Sequence, residues 1–312
     1  MHLTILDRRD EADDVVSLTL VHPDGADLPV WEAGAHVDVT LDDGVVRQYS
    51  LSSDPRDRTR WRLGILREPQ SRGGSEYACT TLDTGDLVEV SGPRNHFALE
   101  PAGHYLFLAG GIGITPILAM ITHAEAVGAE WTLLYGGRTR RSMAFLDELT
   151  THGDRVTLVP QDEAGLLPLA DLLDEVRPDT LVYACGPEPL LTALSDHVAH
   201  WPAGSLHVER FAPRPVDVDG TDETFEVEFA TSGVVALVPP GRSILAVADE
   251  AGVAVSFSCS EGTCGTCETT VLEGRADHRD AVLEEDERAG NTTMMICVSR
   301  AERGCPRLRL EL

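Results

Sequence analysis

The stretch Ser258-Cys259-Ser260-Glu261-Gly262-Thr263-Cys264-Gly265-Thr266-Cys267 decides how the chain is read. With Cys297, 30 residues beyond Cys267, it spells C-x4-C-x2-C followed by a distant C. That spacing is the plant-type arrangement for a [2Fe–2S] cluster. Two sulfide-bridged irons need four thiolates, two on each iron. A loop of small residues can wrap three of them, and the fourth must arrive from another segment. Gly262, Thr263, Gly265 and Thr266 suit such a loop, because glycine allows positive φ and close approach of the backbone to sulfide. Two other readings compete. A zinc site prefers paired C-x2-C knuckles, and only one is present. A disulfide framework belongs to small secreted chains, and 312 residues is far too long. Cys305 reads as a spare thiol, and Cys79 has no partner in sequence.

Working outward, 312 residues suggest two or three domains, each able to bury a core. The opening Met-His-Leu-Thr-Ile-Leu-Asp-Arg-Arg has no apolar run after its charges, so no signal peptide is expected. No apolar stretch is long enough to span a bilayer. Reduced thiols and a cluster point to the cytoplasm. The net charge of −27 argues against nucleic acid, whose binding depends on neutralising phosphates. All 25 basic residues are arginine, which excludes a P-loop lysine or a Schiff-base lysine. The acidic surface either steers a basic partner or is a set of solvated faces.

The first part, residues 1–98, reads as short strands at 15–22, 36–41, 45–52, 61–67 and 87–90 with Asp-Gly and Asp-Pro punctuation, which suggests a small antiparallel barrel. Arg47-Gln48-Tyr49-Ser50 offers a guanidinium, a ring and a hydroxyl together at a strand end. Ser71-Arg72-Gly73-Gly74-Ser75 offers backbone N–H groups, a cation and hydroxyls, as a phosphate nest would. Either alone is a weak signal and reads first as core or rim, or as a turn.

Residues 99–222 alternate strands (104–109, 131–135, 155–160, 181–185, 206–209) with helices (116–127, 141–150, 168–176, 187–199). That alternation implies a doubly wound parallel α/β sheet. Gly110-Gly111-Ile112-Gly113-Ile114-Thr115-Pro116 joins a strand to a helix, where free N–H groups bind phosphates. Proline stands where the usual dinucleotide fingerprint has its third glycine. Cys185-Gly186-Pro187 ends a later strand at the same edge; on local evidence Cys185 reads first as a small core residue. An acidic, Pro-containing stretch up to about Glu223 reads as a linker. Residues 223–312 follow, with strands at 225–230, 234–238, 269–272 and 295–299, a helix at 243–251 and a strand at 308–310 closing the sheet. That is the size of a β-grasp ferredoxin domain.

Taken in order, Arg-Gln-Tyr-Ser-Leu (47–51), Arg-Gly-Gly-Ser (72–75), Ala-Gly-Gly-Ile-Gly-Ile-Thr-Pro (109–116), Cys-Gly-Pro (185–187), Glu-Arg-Phe (209–211) and the cysteines resemble the phthalate dioxygenase reductase family. Its members are FMN- and [2Fe–2S]-containing reductases of the ferredoxin–NADP reductase superfamily. The resemblance covers nearly the whole chain, and the cluster motif is its most specific part.

The resemblance implies that Arg47, Gln48, Tyr49 and Ser50 contact FMN, with Tyr49 against the ring and Ser50 near its redox-active nitrogen. Gly64, Ile65 and Leu66 would pass along the ring, Gly73, Gly74 and Ser75 would hold the phosphate, and Thr115 would reach the flavin from the middle domain. The loop containing Gly111, Gly113, Thr115 and Pro116 would take the pyrophosphate of the pyridine nucleotide. Cys185 and Gly186 would lie near the nicotinamide, and Phe211 near the flavin's other face. Cys259 and Cys264 would bind one iron, Cys267 and Cys297 the other. The family favours NADH, whereas Arg138, Arg140 and Arg141, beside the expected adenosine ribose, would suit the 2′-phosphate of NADPH. The implied activity is electron transfer from NADH through FMN and [2Fe–2S] to a Rieske non-haem iron oxygenase. No side chain is assigned as general acid or base. A cytochrome P450 is the alternative acceptor, and a flavin-free electron carrier or redox sensor the alternative class. A monomer is expected.

Overall fold

A computed structural model describes residues 1–41, 44–68, 73–214 and 222–312. Ser71, Arg72 and most of the expected linker (215–221) therefore lie outside the described residues. The chain falls into two compact units, Met1–Glu209 and Arg210–Leu312.

The first unit opens with β1 (His2–Ala12), β2 (Val15–Val21), β3 (His36–Thr40), β4 (Val46–Ser50), β5 (Trp61–Leu66), α1 (Gly74–Thr80) and β6 (Leu87–Arg94). These six strands pair antiparallel in the order β4-β3-β6-β1-β2-β5. A bridge between Leu51 and Leu63 draws the two edges together, so the sheet curls into a barrel. β1 is absent from the sequence reading. Only Leu3 and Ile5 give it an apolar rhythm, and its charged second half is held by pairing to the buried β2. Asp14 takes the left-handed corner between them, at φ 60°, a conformation aspartate tolerates.

The unit continues with β7 (His104–Gly110), α2 (Ile114–Val127), β8 (Glu130–Gly137), α3 (Leu146–Thr150), β9 (Val156–Pro160), α4 (Gln161–Ala164), α5 (Leu169–Leu173), β10 (Thr180–Cys185), α6 (Glu188–Val198) and β11 (Leu206–Glu209). The five strands are parallel, in the order β11-β10-β7-β8-β9. The order reverses between β7 and β10, the place where open α/β sheets bind ligands. Alternation along β7 sends Tyr105, Phe107 and Ala109 into one core shared with α2 and the barrel. Leu106 and Leu108 enter a second core under α5 and α6. Two expectations are corrected here. α2 begins at Ile114, so Pro116 is its third residue; it remains in the first turn, whose N–H groups are unpaired in any case. The helix expected over 141–150 is broken: a 3-10 turn at Arg140–Ser142 and α3 flank Phe145, whose φ is 62°. The Phe145 ring is buried beneath the Arg62 guanidinium, and that packing overrides the local pattern.

The second unit contains β12 (Phe225–Phe229), β13 (Val234–Val238), α7 (Ile244–Glu250), β14 (Glu268–Glu273), β15 (Ala276–Asp277), α8 (Glu285–Gly290), β16 (Thr293–Met295), β17 (Arg300–Ala301) and β18 (Arg307–Leu310). Its mixed sheet runs β13-β12-β18-β14-β16, while β15 and β17 pair separately. Ser243 caps α7 by accepting from the Ala246 N–H at 3.1 Å. β18 is central, flanked by β12 and β14, rather than closing an edge. The strand expected over 295–299 ends at Met295: the N–H groups of Val298 and Ser299 both donate to the Met295 carbonyl and turn the chain at Cys297.

Candidate functional site

In the second unit the four cysteines converge. Cys259, Cys264, Cys267 and Cys297 are all buried and unoxidised. The Glu261 and Thr263 N–H groups donate to Cys259 Sγ at 3.3 and 3.4 Å, and the Cys259 N–H donates to Cys264 Sγ at 3.5 Å. Ser260, Gly262 and Gly265 take positive φ, which turns the loop's N–H groups toward sulfur. Gly262 has a second reason to be glycine, since a Cβ there would come within 2.6 Å of Val298 Cγ2. The Cys259 thiol is held down by hydrogen bonds from Cys264 and Cys297, and that of Cys267 by one from Cys297. Among the described residues no three His, Cys, Asp or Glu side chains are arranged to hold one metal ion. Paired soft donors with N–H groups aimed at sulfur fit a binuclear iron–sulfur cluster. Cys305 stands apart, its S–H donating to the Arg307 carbonyl at 3.2 Å.

Behind the loop lies Asp280, fully buried. It accepts from the Val282 and Leu283 N–H groups at 3.1 and 2.8 Å, from Ser299 Oγ at 3.4 Å and from Arg288 Nη2 at 3.4 Å. The N–H of Ala281 donates to the Gly262 carbonyl at 2.8 Å. The carboxylate thus ties the turn after Cys297 to α8, and the backbone of the next residue ties both to the cluster loop. The sequence reading missed Asp280, and an acid between His-Arg and Ala-Val-Leu was its only signal.

In the first unit the expected residues gather at the C-terminal edge of the parallel sheet, where the barrel meets it. Cys185 stands level with Ala109 on one neighbouring strand and with Glu209 on the other. A Cβ on Gly113 would overlap the Cys185 carbonyl, and one on Gly186 would lie 3.0 Å from the Gly110 nitrogen. Gly111, at φ 56°, has open space where a Cβ would stand, so its backbone is free to be approached. Gly64 of β5 meets Thr115 at the start of α2; a Cβ there would come within 2.6 Å of Thr115 Cγ2. Thr115 is buried and its hydroxyl donates to the Ile112 carbonyl at 3.0 Å. Ile65 is buried beside Cys79, whose thiol, pushed up to about 11 by burial, donates to the Ile65 carbonyl. Leu66 is half-buried.

β4 divides the motif it carries. Ser50 Oγ donates to Glu209 Oε2 at 3.5 Å, and the Gln48 amide donates to Asp38 Oδ1 at 2.7 Å. Arg47 and Tyr49 take the other face. The stem of Arg47 lies against Gly74, where a Cβ would come within 2.9 Å of its Cγ. Tyr49 has a buried hydroxyl with no partner among the described residues, and burial drives its ionisation upward. Such a group calls for a ligand. Gly73 has φ 91°, and Ser75 Oγ accepts from the Glu68 N–H at 3.0 Å. The guanidinium, the hydroxyl and the glycine cradle are groups that fit a phosphate-bearing aromatic ligand.

Glu209 is the residue that sequence reasoning left without a role. Burial pushes its carboxyl up to about 8 and, with Glu209 beside it, drives the Cys185 thiol far above its ordinary range. An acid closing a short strand at the ligand edge was the signal. Phe211 belongs to the second unit and is exposed.

Comparison with known proteins follows the same division. The family model of the 2Fe-2S iron-sulfur cluster binding domain matches residues 217–302, and that of the oxidoreductase NAD-binding domain matches residues 107–196. The solved structure of phthalate dioxygenase reductase, described as modular for electron transfer from pyridine nucleotides to [2Fe-2S], is 38% identical with a TM-score of 0.73 and covers 100% of this chain and 98% of that one. The chain belongs to the phthalate dioxygenase reductase family. It is an oxidoreductase with an NAD-binding and a 2Fe–2S domain. The phenoxybenzoate dioxygenase subunit beta of Ectopseudomonas oleovorans is 45% identical over 290 residues, covering 92% of this chain and 90% of that protein. An intact type IV self-sufficient cytochrome P450 monooxygenase superposes with a TM-score of 0.93 at 43% identity, but the family member described here spans only 41% of that longer chain. No helix among the described residues is long and apolar enough to cross a membrane.

Proposed function

We propose that this chain is the NADH-dependent reductase component of an oxygenase system, with FMN in the N-terminal barrel and a [2Fe–2S] cluster in the C-terminal unit. The terminal partner in this reading is a Rieske non-haem iron oxygenase. The observation that carries it is the meeting of Ser50 and Gly64 from the barrel with Glu209 and Thr115 from the parallel sheet, in one chain with a loop of four converging thiols. When bound, the two groups convert a two-electron hydride donor into one-electron transfers.

The protein's own part is placement. Arg47, Gly73, Gly74 and Ser75 hold the flavin phosphate; Tyr49, Ser50, Gly64, Ile65 and Leu66 line the ring, and Thr115 reaches it from α2. Gln48 acts through Asp38, fixing β4. Gly111 and Gly113 give a pyrophosphate access to the start of α2, with Pro116 stiffening its first turn. Cys185 and Gly186 would lie near the nicotinamide. Glu209 keeps its proton near neutral pH because its carboxyl titrates at about 8, so a proton is held within reach of Ser50 Oγ. Cys259 and Cys264 take one iron, Cys267 and Cys297 the other. The working segments are 1–98, 99–222 and 223–312, and the protein acts as a cytoplasmic monomer.

The experiment is anaerobic titration of cofactor-replete protein with NADH, and separately with NADPH, following the visible spectrum. Bleaching of both flavin and iron–sulfur bands by NADH at low concentration is expected; bleaching of neither rules the reading out. The likeness to 41% of a self-sufficient cytochrome P450 monooxygenase favours a P450 as a second acceptor. Reduction of a purified Rieske oxygenase and of a P450 by the same protein separates the two.

A further inference from the structure

Arg138, Arg140 and Arg141 follow β8 at the edge where nucleotide binding has been proposed, and the structure shows what two of them hold. Arg140 grips Glu163 with two hydrogen bonds, Nε to Oε1 at 3.2 Å and Nη2 to Oε2 at 2.9 Å. Arg141 Nε lies 3.3 Å from Asp13 Oδ2, and its carbonyl accepts from the Asp13 N–H at 2.8 Å. Arg138 makes no ion pair among the described residues, and its carbonyl accepts from the Asp162 N–H at 3.2 Å.

The placement follows from the sheet. The strand order reverses between β7 and β10, with the glycine loop after β7. A dinucleotide with its pyrophosphate there and its nicotinamide over Cys185 on β10 must run its adenosine the other way, over the C-terminal ends of β8 and β9. Gly137 of β8 pairs in register with Pro160 of β9. Arg140 and Glu163 each lie three residues beyond that pair. They are therefore the charged side chains set to meet the adenosine ribose.

We infer that Glu163 selects NADH: it occupies the guanidinium of Arg140 that a 2′-phosphate would need, and it presents a carboxylate to the ribose instead. This rests on the nucleotide site proposed above. A 2′-phosphate brings nearly two negative charges, and it would have to displace a bidentate carboxylate with Asp162 beside it. A 2′-hydroxyl is neutral and can donate to that carboxylate. The pair is solvent-exposed, so it adds little to folding; its effect is on which anion can approach. Arg138 leaves a residual tolerance for NADPH.

The test compares kcat/KM for NADPH and NADH in wild type, Glu163→Gln and the double variant Glu163→Gln/Arg140→Ala. The NADPH:NADH ratio should rise on the order of tenfold in Glu163→Gln, as one charge-assisted contact is gained, and return near the wild-type value in the double variant. Calorimetry on the flavin-loaded protein gives an independent readout: 2′,5′-ADP should bind about tenfold more tightly to Glu163→Gln, while 5′-AMP should not. An unchanged ratio in Glu163→Gln overturns the inference, as does an equal rise in the double variant, which would mean that Arg140 is not the group released. If NADH reduces the wild-type flavin while these ratios stay flat, only this inference fails. If neither nucleotide reduces wild type and neither adenosine phosphate binds, the nucleotide site fails and the inference falls with it.

Discussion

The two units build their sites in opposite ways. In the C-terminal unit three thiols come from nine consecutive residues and the fourth from one turn. The loop's own N–H groups complete the environment. In the N-terminal unit the candidate site is gathered from the ends of β4, β5, β7, β10 and β11 and the start of α2, short stretches that lie far apart in the sequence. A local site tolerates change elsewhere in its unit and fails when its own loop is altered. A site assembled from strand ends depends on the register of the whole sheet.

The sharpest test of that contrast removes one thiol. Cys264→Ser should lower transfer to a one-electron protein acceptor by more than about a hundredfold while NADH still bleaches the flavin. Iron content, acceptor reduction and flavin absorbance measured on one preparation check it. Loss of flavin reduction in a folded variant would show that the units are not separable steps.

Next comes Asp280→Ala, which leaves the Val282 and Leu283 N–H groups without their acceptor and takes the carboxylate from the Arg288 guanidinium, which keeps only the carbonyls of residues 280 and 283. Breaking a buried pair from one side costs about 3–5 kcal/mol. The denaturation transition of the C-terminal unit should therefore move to lower denaturant while that of the first unit stays in place. A shared shift would mean that the two units unfold together.

A smaller, pH-dependent effect belongs to the first unit. The Glu209 carboxyl titrates at about 8 in the folded chain, against ~4.3 for an unfolded glutamate. Below ~pH 4 both states are protonated and burial carries no electrostatic penalty. Between there and pH 8 the unfolded chain alone gives up its proton, so stability falls, and it levels off above pH 8. The residue is half-buried, so Glu209→Gln should recover only ~1–3 kcal/mol at pH 8 and flatten the decline. Melting curves of the two proteins from pH 5 to 9 decide it; parallel curves would place the cause elsewhere.

The least effect is expected on the outer face of the C-terminal sheet, where Glu228 pairs with Arg307 and Arg309. Glu228→Gln should change stability by less than ~1 kcal/mol, because exposed pairs are screened and entropically costly. A larger loss in a denaturant titration would mark that lattice as a structural element.

Legibility in the sequence follows the same division. The cluster loop was readable because its chemistry dictates spacing, and the parallel strands because burial on both sides makes them continuously apolar. β1 was not readable, since its charged half is a strand only by pairing with β2. Nor was the break at Phe145, which tertiary packing imposes. The motif at 47–50 read as one cluster, yet strand alternation points Ser50 to Glu209 and turns Arg47 and Tyr49 away. Glu209 and Asp280 look like ordinary acids in a chain with 52 of them. Their settings distinguish them: Asp280 is fully buried, and Glu209 stands beside Cys185 at the ligand edge.

The central place of β18 has a consequence for synthesis. Residues 307–310 bridge β12 and β14, so the two halves of the ferredoxin sheet stay unjoined until that strand has left the ribosome. The thiols at 259–297 emerge earlier, onto a scaffold that cannot yet close. The loop that carries three of the four thiols is thus complete in sequence before the sheet beside it can close.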